Sequence, residues 1–246
     1  MSNSTKIALV TGGNKGIGNH IVRQLAGQGV HVYLAARDAV RGQAAAADLT
    51  AEGLDVEFVH LDVTDSASVI AAAEQIDHTD GRLDILVNNA AITSGADPAS
   101  EVTVDDLRRT YETNVFGVVT VTNTFLPLLR RSGSPRIVNV SSGMGSIALI
   151  ADPTVEITKL NQAAYQSSKS ALNALTVLYA NELRGAGIKV NAVCPGYRAT
   201  ELNGGLPTPG AGDPADGATV AVTMALIDDD GPTAEFRGDT GDLYPW

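Results

Sequence analysis

Short apolar runs, most of them followed by a helical segment, recur along nearly the whole 246-residue chain, and this alternation limits its fold more than any other feature. Strands are expected at residues 7–10, 30–36, 56–61, 85–87, 136–140 and 188–193, with a short last one at 235–236. Helices are expected at 17–27, 38–51, 66–77, 103–131, 163–184 and 214–226. The first carries Ile17, Ile21, Val22 and Leu25 at helical spacing. Asp65 or Ser66 is the expected cap of the third helix and Thr103 of the fourth, while Gly53, Gly185 and Gly187 are stop signals. Repeated strand–helix–strand units predict an α/β fold, a doubly wound parallel sheet of about seven strands flanked by helices, Rossmann-type. No Pro- or Ser-rich linker divides the chain, so residues 1–246 read as a single domain. Two segments, 143–162 and 201–213, are irregular, and both follow sheet strands, where ligand pockets form.

The first strand runs into Thr11-Gly12-Gly13-Asn14-Lys15-Gly16-Ile17-Gly18, which opens the first helix. Glycines let backbone amides approach a pyrophosphate, and a helix N-terminus offers unpaired N–H groups. Gly12, Asn14, Lys15, Gly16, Ile17 and Gly18 are therefore candidate dinucleotide contacts. The spacing is Gly-x3-Gly-x-Gly rather than the commoner Gly-x-Gly-x2-Gly, and a tight left-handed turn in any α/β protein is the competing reading. At the tip of the second strand stand Ala36 and Arg37, where an NAD site usually has an acid. Arg37 suits a 2′-phosphate through its planar fork of donors, and Lys15 can approach the same group. This favours NADP(H) over NAD(H), although Asp38 is available to pair with Arg37.

Tyr165 and Lys169, four residues apart, share a face of the helix 163–184. Tyrosine is a poor acid–base catalyst near neutrality; an ammonium alongside is expected to lower its pKa towards the working range. The strand 136–140 ends in Ser141 and Ser142 at the carboxyl edge of the sheet, where a hydroxyl can bond a reacting carbonyl oxygen.

Together these motifs resemble the short-chain dehydrogenase/reductase family over essentially the whole chain. The matching residues are the Thr11 to Gly18 turn, Leu61-Asp62-Val63, Asn88-Asn89-Ala90, Asn114, Ser142, Tyr165 with Lys169, and Pro195-Gly196. Within the family the chain is most similar to the carbonyl reductases, in the Gly-rich turn, in the run from Ala36 to Ala44, and in a tail with Asp229 to Thr233 and Trp246. The resemblance implies hydride transfer from NADPH to a ketone or aldehyde, with Tyr165 as proton donor. Lys169 would hold the nicotinamide ribose and activate Tyr165, and Ser142, in preference to Ser141, would orient the carbonyl. Asn114 would anchor a water linking Lys169 to solvent. It also implies Asp62 and Val63 at the adenine and Asn88 near the adenosine ribose, as the Asn88-Asn89-Ala90 motif is used in the family. Pro195, Gly196 and Thr200 would contact the nicotinamide. The chain departs from the family in having Ala91 where Gly is usual, and in a longer gap between Ser142 and Tyr165. That gap predicts a substrate-side loop, with Ile147, Leu149, Ile150 and Tyr197 as candidate pocket walls.

Composition narrows the alternatives. A net charge of −11 argues against nucleic acid, and the chain shows no basic docking patch for a carrier-bound ketoacyl group. A carrier-linked 3-ketoacyl reductase, an oxidative alcohol dehydrogenase and a non-catalytic NADP-sensing regulator are the competing functions; the last is disfavoured by the presence of Asn114, Ser142, Tyr165 and Lys169. The four histidines lack ligand spacing, and Asp228, Asp229 and Asp230 read as a solvated turn, so no metal site is expected. Cys194 is alone and reads as a buried inert thiol. No apolar run is long enough to span a bilayer, so a cytoplasmic protein without a membrane partner is expected. Val115, Val118, Val119, Val121, Phe125, Leu126, Leu172, Leu175 and Leu178 make the fourth and fifth helices apolar around much of their circumference. With the family's helix-mediated interface in view, this predicts a homodimer or homotetramer.

Overall fold

A computed structural model describes residues 5–95, 97–203 and 209–246. Seven strands form one sheet: β1 (Ile7–Thr11), β2 (His31–Ala36), β3 (Val56–His60), β4 (Ile85–Asn88), β5 (Arg136–Val140), β6 (Lys189–Val193) and β7 (Phe236–Arg237). All pairings are parallel, in the order β3-β2-β1-β4-β5-β6-β7. The order reverses between β1 and β4, so the loops leaving their carboxyl ends diverge and open a crevice. The short last strand is Phe236–Arg237, one residue beyond its expected place.

Alternation along each strand feeds two separate cores. Ala8 and Val10 of β1 pack with Ile21, Val22 and Leu25 of α1 (Gly16–Gly27), with Leu49 of α2 (Ala39–Ala51) and with α8 (Pro214–Ala225). Ile7 and Leu9 face the other way, onto Val69 and Ile76 of α3 (Ser66–Asp80), Phe125 of α5 (Gly117–Leu129) and Leu183 of α7 (Ala163–Leu183). Because the sheet is covered on both faces, its central strand β1 reads as a continuous apolar run, while the edge strand β3 keeps Glu57 and an exposed His60.

The helix ends follow local chemistry. Asp65 caps α3 by accepting from the Ala67 amide, and Thr103 caps α4 (Val104–Tyr111) by accepting from the Asp106 amide. Gly187, with φ of 72°, ends the turn after α7 in the left-handed region that glycine tolerates. The single helix expected over 103–131 is instead α4 and α5 joined by a π-turn, Glu112–Phe116. The irregular stretch 143–162 contains a 3-10 turn (Gly143–Gly145), a short helix α6 (Ile147–Ala151) and a second 3-10 turn (Glu156–Lys159). Of the other irregular stretch, 201–213, residues 204–208 lie outside the described residues.

The acidic run near the end of the chain is more than a solvated turn. Arg136 is the largest fully buried side chain among the described residues, and its guanidinium donates to the Ile227 carbonyl and to Asp229 Oδ1, the latter at 2.8 Å. Asp229 also accepts from Ser134, and these bonds hold its carboxyl below the usual range. A buried guanidinium without such acceptors would be strongly destabilising.

Candidate active site

Segments that follow β1, β2, β3, β4 and β6 leave the carboxyl edge of the sheet to build one crevice. The turn after β1 is tied to the turn after β4 by Thr11 and Asn89. Thr11 Oγ1 accepts from the amides of Asn89 and Ala90 at 3.0 and 3.1 Å, and Asn89 Nδ2 donates to the carbonyls of Thr11 and Gly12. Both residues stand in the sequence motifs, but their partnership was not read there, since it joins positions 78 apart. Gly12 and Gly16 have φ of 65° and 52°. A Cβ at Gly18 would lie 2.3 Å from the Gly12 carbonyl oxygen, so the loop closes on itself only if that residue is glycine.

These turns border a cleft of about 230 Å³. Gly12, Asn14, Lys15, Gly16, Ile17, Gly18, Arg37, Asp62, Val63, Ala90 and Thr200 line it. So do Ala36, Leu61, Asn89 and Ala91, which the sequence motifs contain without an assigned contact, and Ile92, Thr113, Glu201 and Leu202, which sequence reading did not single out. A backbone floor of glycines at a helix N-terminus, with Arg37 and no acid at the tip of β2, fits a dinucleotide carrying a 2′-phosphate.

Several expectations are corrected. Asn88 does not face the cleft: its amide is buried, donating to Thr122 Oγ1 at 3.1 Å and to Asn139 Oδ1 at 2.9 Å. Alternation at the end of β4 turns Asn88 inward and leaves Asn89 for the crevice. Asp38 does not pair with Arg37; it caps α2, accepts from the Arg41 amide and lies 3.5 Å from the Arg41 guanidinium. Pro195 and Gly196, by contrast, stand with Ser142, Tyr165 and Lys169 outside the lining of this cleft; Pro195 is buried and Gly196 has φ of 73°.

At the ends of β5 and α7, Ser141 and Ser142 point to opposite sides, as successive residues of an extended chain must. Ser141 is buried and donates to Asn173 Oδ1 at 2.6 Å. Ser142 is the one left for the crevice; it caps the Gly143–Gly145 turn through Met144 and hydrogen-bonds the Tyr165 phenol. That turn packs directly on α7: a Cβ at Gly145 would lie 2.6 Å from the Lys169 main-chain carbon. Gly145 is therefore a positioning residue that sequence reading did not find.

Tyr165 and Lys169 are both buried. Lys169 Nζ lies 5.6 Å from the centre of the Tyr165 ring and donates to the Val140 carbonyl at 2.8 Å. Burial pushes the phenol pKa up, with the Ser142 hydrogen bond opposing it. The expected lowering of the phenol by the ammonium is thus not what the protein's own groups produce: burial dominates, and the lowering influence is the Ser142 hydrogen bond. Burial also lowers Lys169 to about 8. Cys194 sits beside this pair, its Sγ accepting from the Gly143 amide at 3.1 Å, and burial raises its thiol.

Asn114 lies in the π-turn and is fully buried. Its Oδ1 accepts from the Ile92 amide, and its Nδ2 donates to the Ile92 carbonyl and to Ser168 Oγ, at 2.9 to 3.0 Å. Ser168 in turn donates to the Tyr165 carbonyl. Both N–H donors of the amide are engaged, so Asn114 fastens the segment after β4 to α7 rather than holding a water through its side-chain amide. Among the described residues no group of three or more His, Cys, Asp or Glu is arranged to hold a metal ion. Likewise, no helix among them is long and apolar enough to cross a membrane.

A doubly wound parallel sheet with a glycine-floored cleft at its switch point, and a Ser–Tyr–Lys group beside it, defines a nucleotide-binding oxidoreductase scaffold. Residues 6–209 match the model of the short chain dehydrogenase family, and the chain belongs to that family. It is 36% identical over 292 aligned residues to carbonyl reductase (NADPH) 1 of Sus scrofa, covering 100% of this chain and 99% of that protein. It is 34% identical to salutaridine reductase of Papaver bracteatum, over 94% of this chain and 93% of the relative. Among solved structures, the NADPH-bound carbonyl reductase from chicken fatty liver superposes with a TM-score of 0.86 at 26% identity, covering 98% and 99% of the two chains.

Proposed function

We propose that this protein is an NADP-dependent carbonyl reductase that converts a ketone or aldehyde to the alcohol. The meeting of Tyr165, Lys169 and Ser142 at the carboxyl edge of the sheet carries this reading. The carbonyl reductase of Sus scrofa and the NADPH-bound neighbour support it. The turn from Gly12 to Gly18, with Asn14, Gly16 and Ile17, holds the pyrophosphate. Asp62 and Val63 border the adenine, Ala90 lines the floor, and Arg37 with Lys15 takes the 2′-phosphate. Thr200, delivered by the Pro195-Gly196 turn, meets the nicotinamide amide.

When bound, NADPH supplies the hydride that reduces the carbonyl carbon. Tyr165 gives its phenolic proton to the carbonyl oxygen. Its raised pKa keeps the proton in place at neutral pH, so the residue meets the substrate as an acid. Ser142 donates a hydrogen bond to the same oxygen as its negative charge develops. Lys169, charged below about pH 8, stabilises the phenolate left behind. Asn114 keeps α7 fixed against the segment after β4 while this happens. Ile147, Leu149, Ile150 and Tyr197 wall the substrate pocket; Ile147 and Tyr197 are apolar or aromatic side chains at the surface.

The test is NADPH consumption with a panel of ketones and aldehydes, with Tyr165→Phe as control. Turnover lost in the variant is the expected outcome. Tight NADPH binding with no turnover on any carbonyl would overturn the reading in favour of a nucleotide sensor.

The chain assembles as a homodimer or homotetramer. Val115, Val118, Val121, Phe125 and Leu172 are consumed by its own core, but Leu178 remains 63% exposed and Phe116 51%. A monomeric wild-type protein in sedimentation would defeat this. A cytoplasmic location accompanies the reading and is checked by cell fractionation.

A further inference from the structure

The mouth of the cleft carries an ion pair that the proposed reaction does not use. Lys15, in the glycine turn after β1, is joined through Nζ to Glu201 Oε2, 186 residues further along the chain. Both residues line the cleft. Glu201 opens the 3-10 turn Glu201–Asn203, directly after Thr200, so the pair bridges the pyrophosphate wall and the wall that delivers Thr200. The surroundings of this carboxylate are basic. Arg37 lines the same cleft with an exposed side chain. Arg41, in the first turn of α2, acts on Glu201 through its charge. The Lys15 hydrogen bond and then the Lys15 charge hold the Glu201 carboxyl below its usual range, with Arg41 adding to them.

A carboxylate and a phosphate monoester offer the same chemistry to an ammonium, namely anionic oxygen acceptors at hydrogen-bond distance. Glu201 therefore takes up one donor of the Lys15 ammonium and sets a second negative charge where the 2′-phosphate would stand. We propose that Glu201 is an internal competitor for that phosphate and a specificity-determining residue. Its carboxylate competes with the phosphate for Lys15 and repels it when NADP(H) binds, which tempers the preference for NADP(H) over NAD(H). This inference rests on the assignment of Lys15 to the 2′-phosphate.

The size of the effect follows from exposure. The two side chains are 50% and 61% accessible, so the pair is solvent-screened. Pairs of this kind change an equilibrium by about two- to fivefold. Because both side chains are at the surface, neutral substitutions leave the core untouched.

The experiment is equilibrium binding of NADPH and of NADH, read by nicotinamide fluorescence, to the wild-type protein, Glu201→Gln, Lys15→Met and the double variant. Thermal unfolding of each variant verifies folding. Glu201→Gln is expected to tighten NADPH about two- to fivefold and NADH by less. Lys15→Met is expected to weaken NADPH, and in that background the Glu201→Gln gain for NADPH should vanish, because interacting residues are non-additive. A gain that persists undiminished without Lys15, or is equal for NADH, would overturn the proposal and leave Glu201 as a general negative field. No gain from Glu201→Gln while Lys15→Met weakens NADPH would overturn it alone. If Lys15→Met leaves NADPH affinity unchanged, the assignment of Lys15 itself fails, and the inference falls with it.

Discussion

Lys169 donates to the main-chain carbonyl of Val140 at 2.8 Å, which pins α7 to the last residue of β5 and fixes where Tyr165 stands relative to Ser142. The price of that placement is a buried ammonium, and its pKa falls from 10.5 to about 8. The folded protein therefore holds this proton less tightly than the unfolded chain. The resulting penalty is fully present below pH 8 and fades as pH rises from about 8 to 10.5, so this group adds stability with rising pH in that window. Activity runs the other way. kcat/KM for NADPH, which reports the free enzyme, should fall as pH rises through about 8, because the ammonium is lost while Tyr165 keeps its proton. A flat profile between pH 7 and 9 would contradict the assigned role of Lys169.

Gly145→Ala should disable the enzyme although the substitution adds only a methyl group. The new Cβ would stand 2.6 Å from the Lys169 main-chain carbon and Cβ, on a helix that cannot yield. Overpacking of this kind costs about 1–3 kcal/mol, measurable by urea unfolding. The loss of kcat should exceed what that destabilisation explains, since the turn carrying Ser142 must shift. Unchanged kcat would mean that the turn is not positioned by α7.

The two adjacent serines should behave differently. Ser142→Ala should lower kcat by about two to three orders of magnitude with stability retained, as removal of an oxyanion donor does. Ser141→Ala leaves the buried Asn173 Oδ1 without its 2.6 Å donor, so it should destabilise the fold by about 1–3 kcal/mol. Steady-state kinetics paired with thermal unfolding distinguish the two. A reversed pattern would reassign the crevice serine.

Asn88→Ala tests which asparagine of the pair belongs to the cofactor cleft. Its amide joins Thr122 and Asn139 inside the core, so its loss should reduce stability by about 1–3 kcal/mol. NADPH affinity in the folded variant should change little. A large loss of affinity without destabilisation would restore Asn88 to the ribose.

Much of the scaffold was legible because periodicity reports burial directly. The run 7–10 is apolar throughout, and 136–140 is buried throughout with only Arg136 and Asn139 polar, because β1 and β5 are covered on both faces. Tyr165, Lys169 and the glycine turn were also visible, since one helical turn and one tight loop are local features. The relationships that were missed act across the chain. Thr11 meets Asn89 over 78 positions, and Gly145 meets Lys169 through a packing distance that leaves no mark on spacing. The π-turn holding Asn114 was read as plain helix, because one extra residue in a turn barely disturbs the apolar period.

The sequence by itself determined the order of strands and helices, the glycine turn and the kind of side chains available at the crevice, because each depends on a few neighbouring residues. Only the tertiary structure decided which of two serines and which of two asparagines enters the crevice, that Asp38 serves a helix cap, and that Lys15 finds Glu201. Those outcomes depend on alternation at strand ends and on the meeting of segments far apart in the chain. Burial, which raises Tyr165 and lowers Lys169, likewise exists only once the helix has been laid against the sheet.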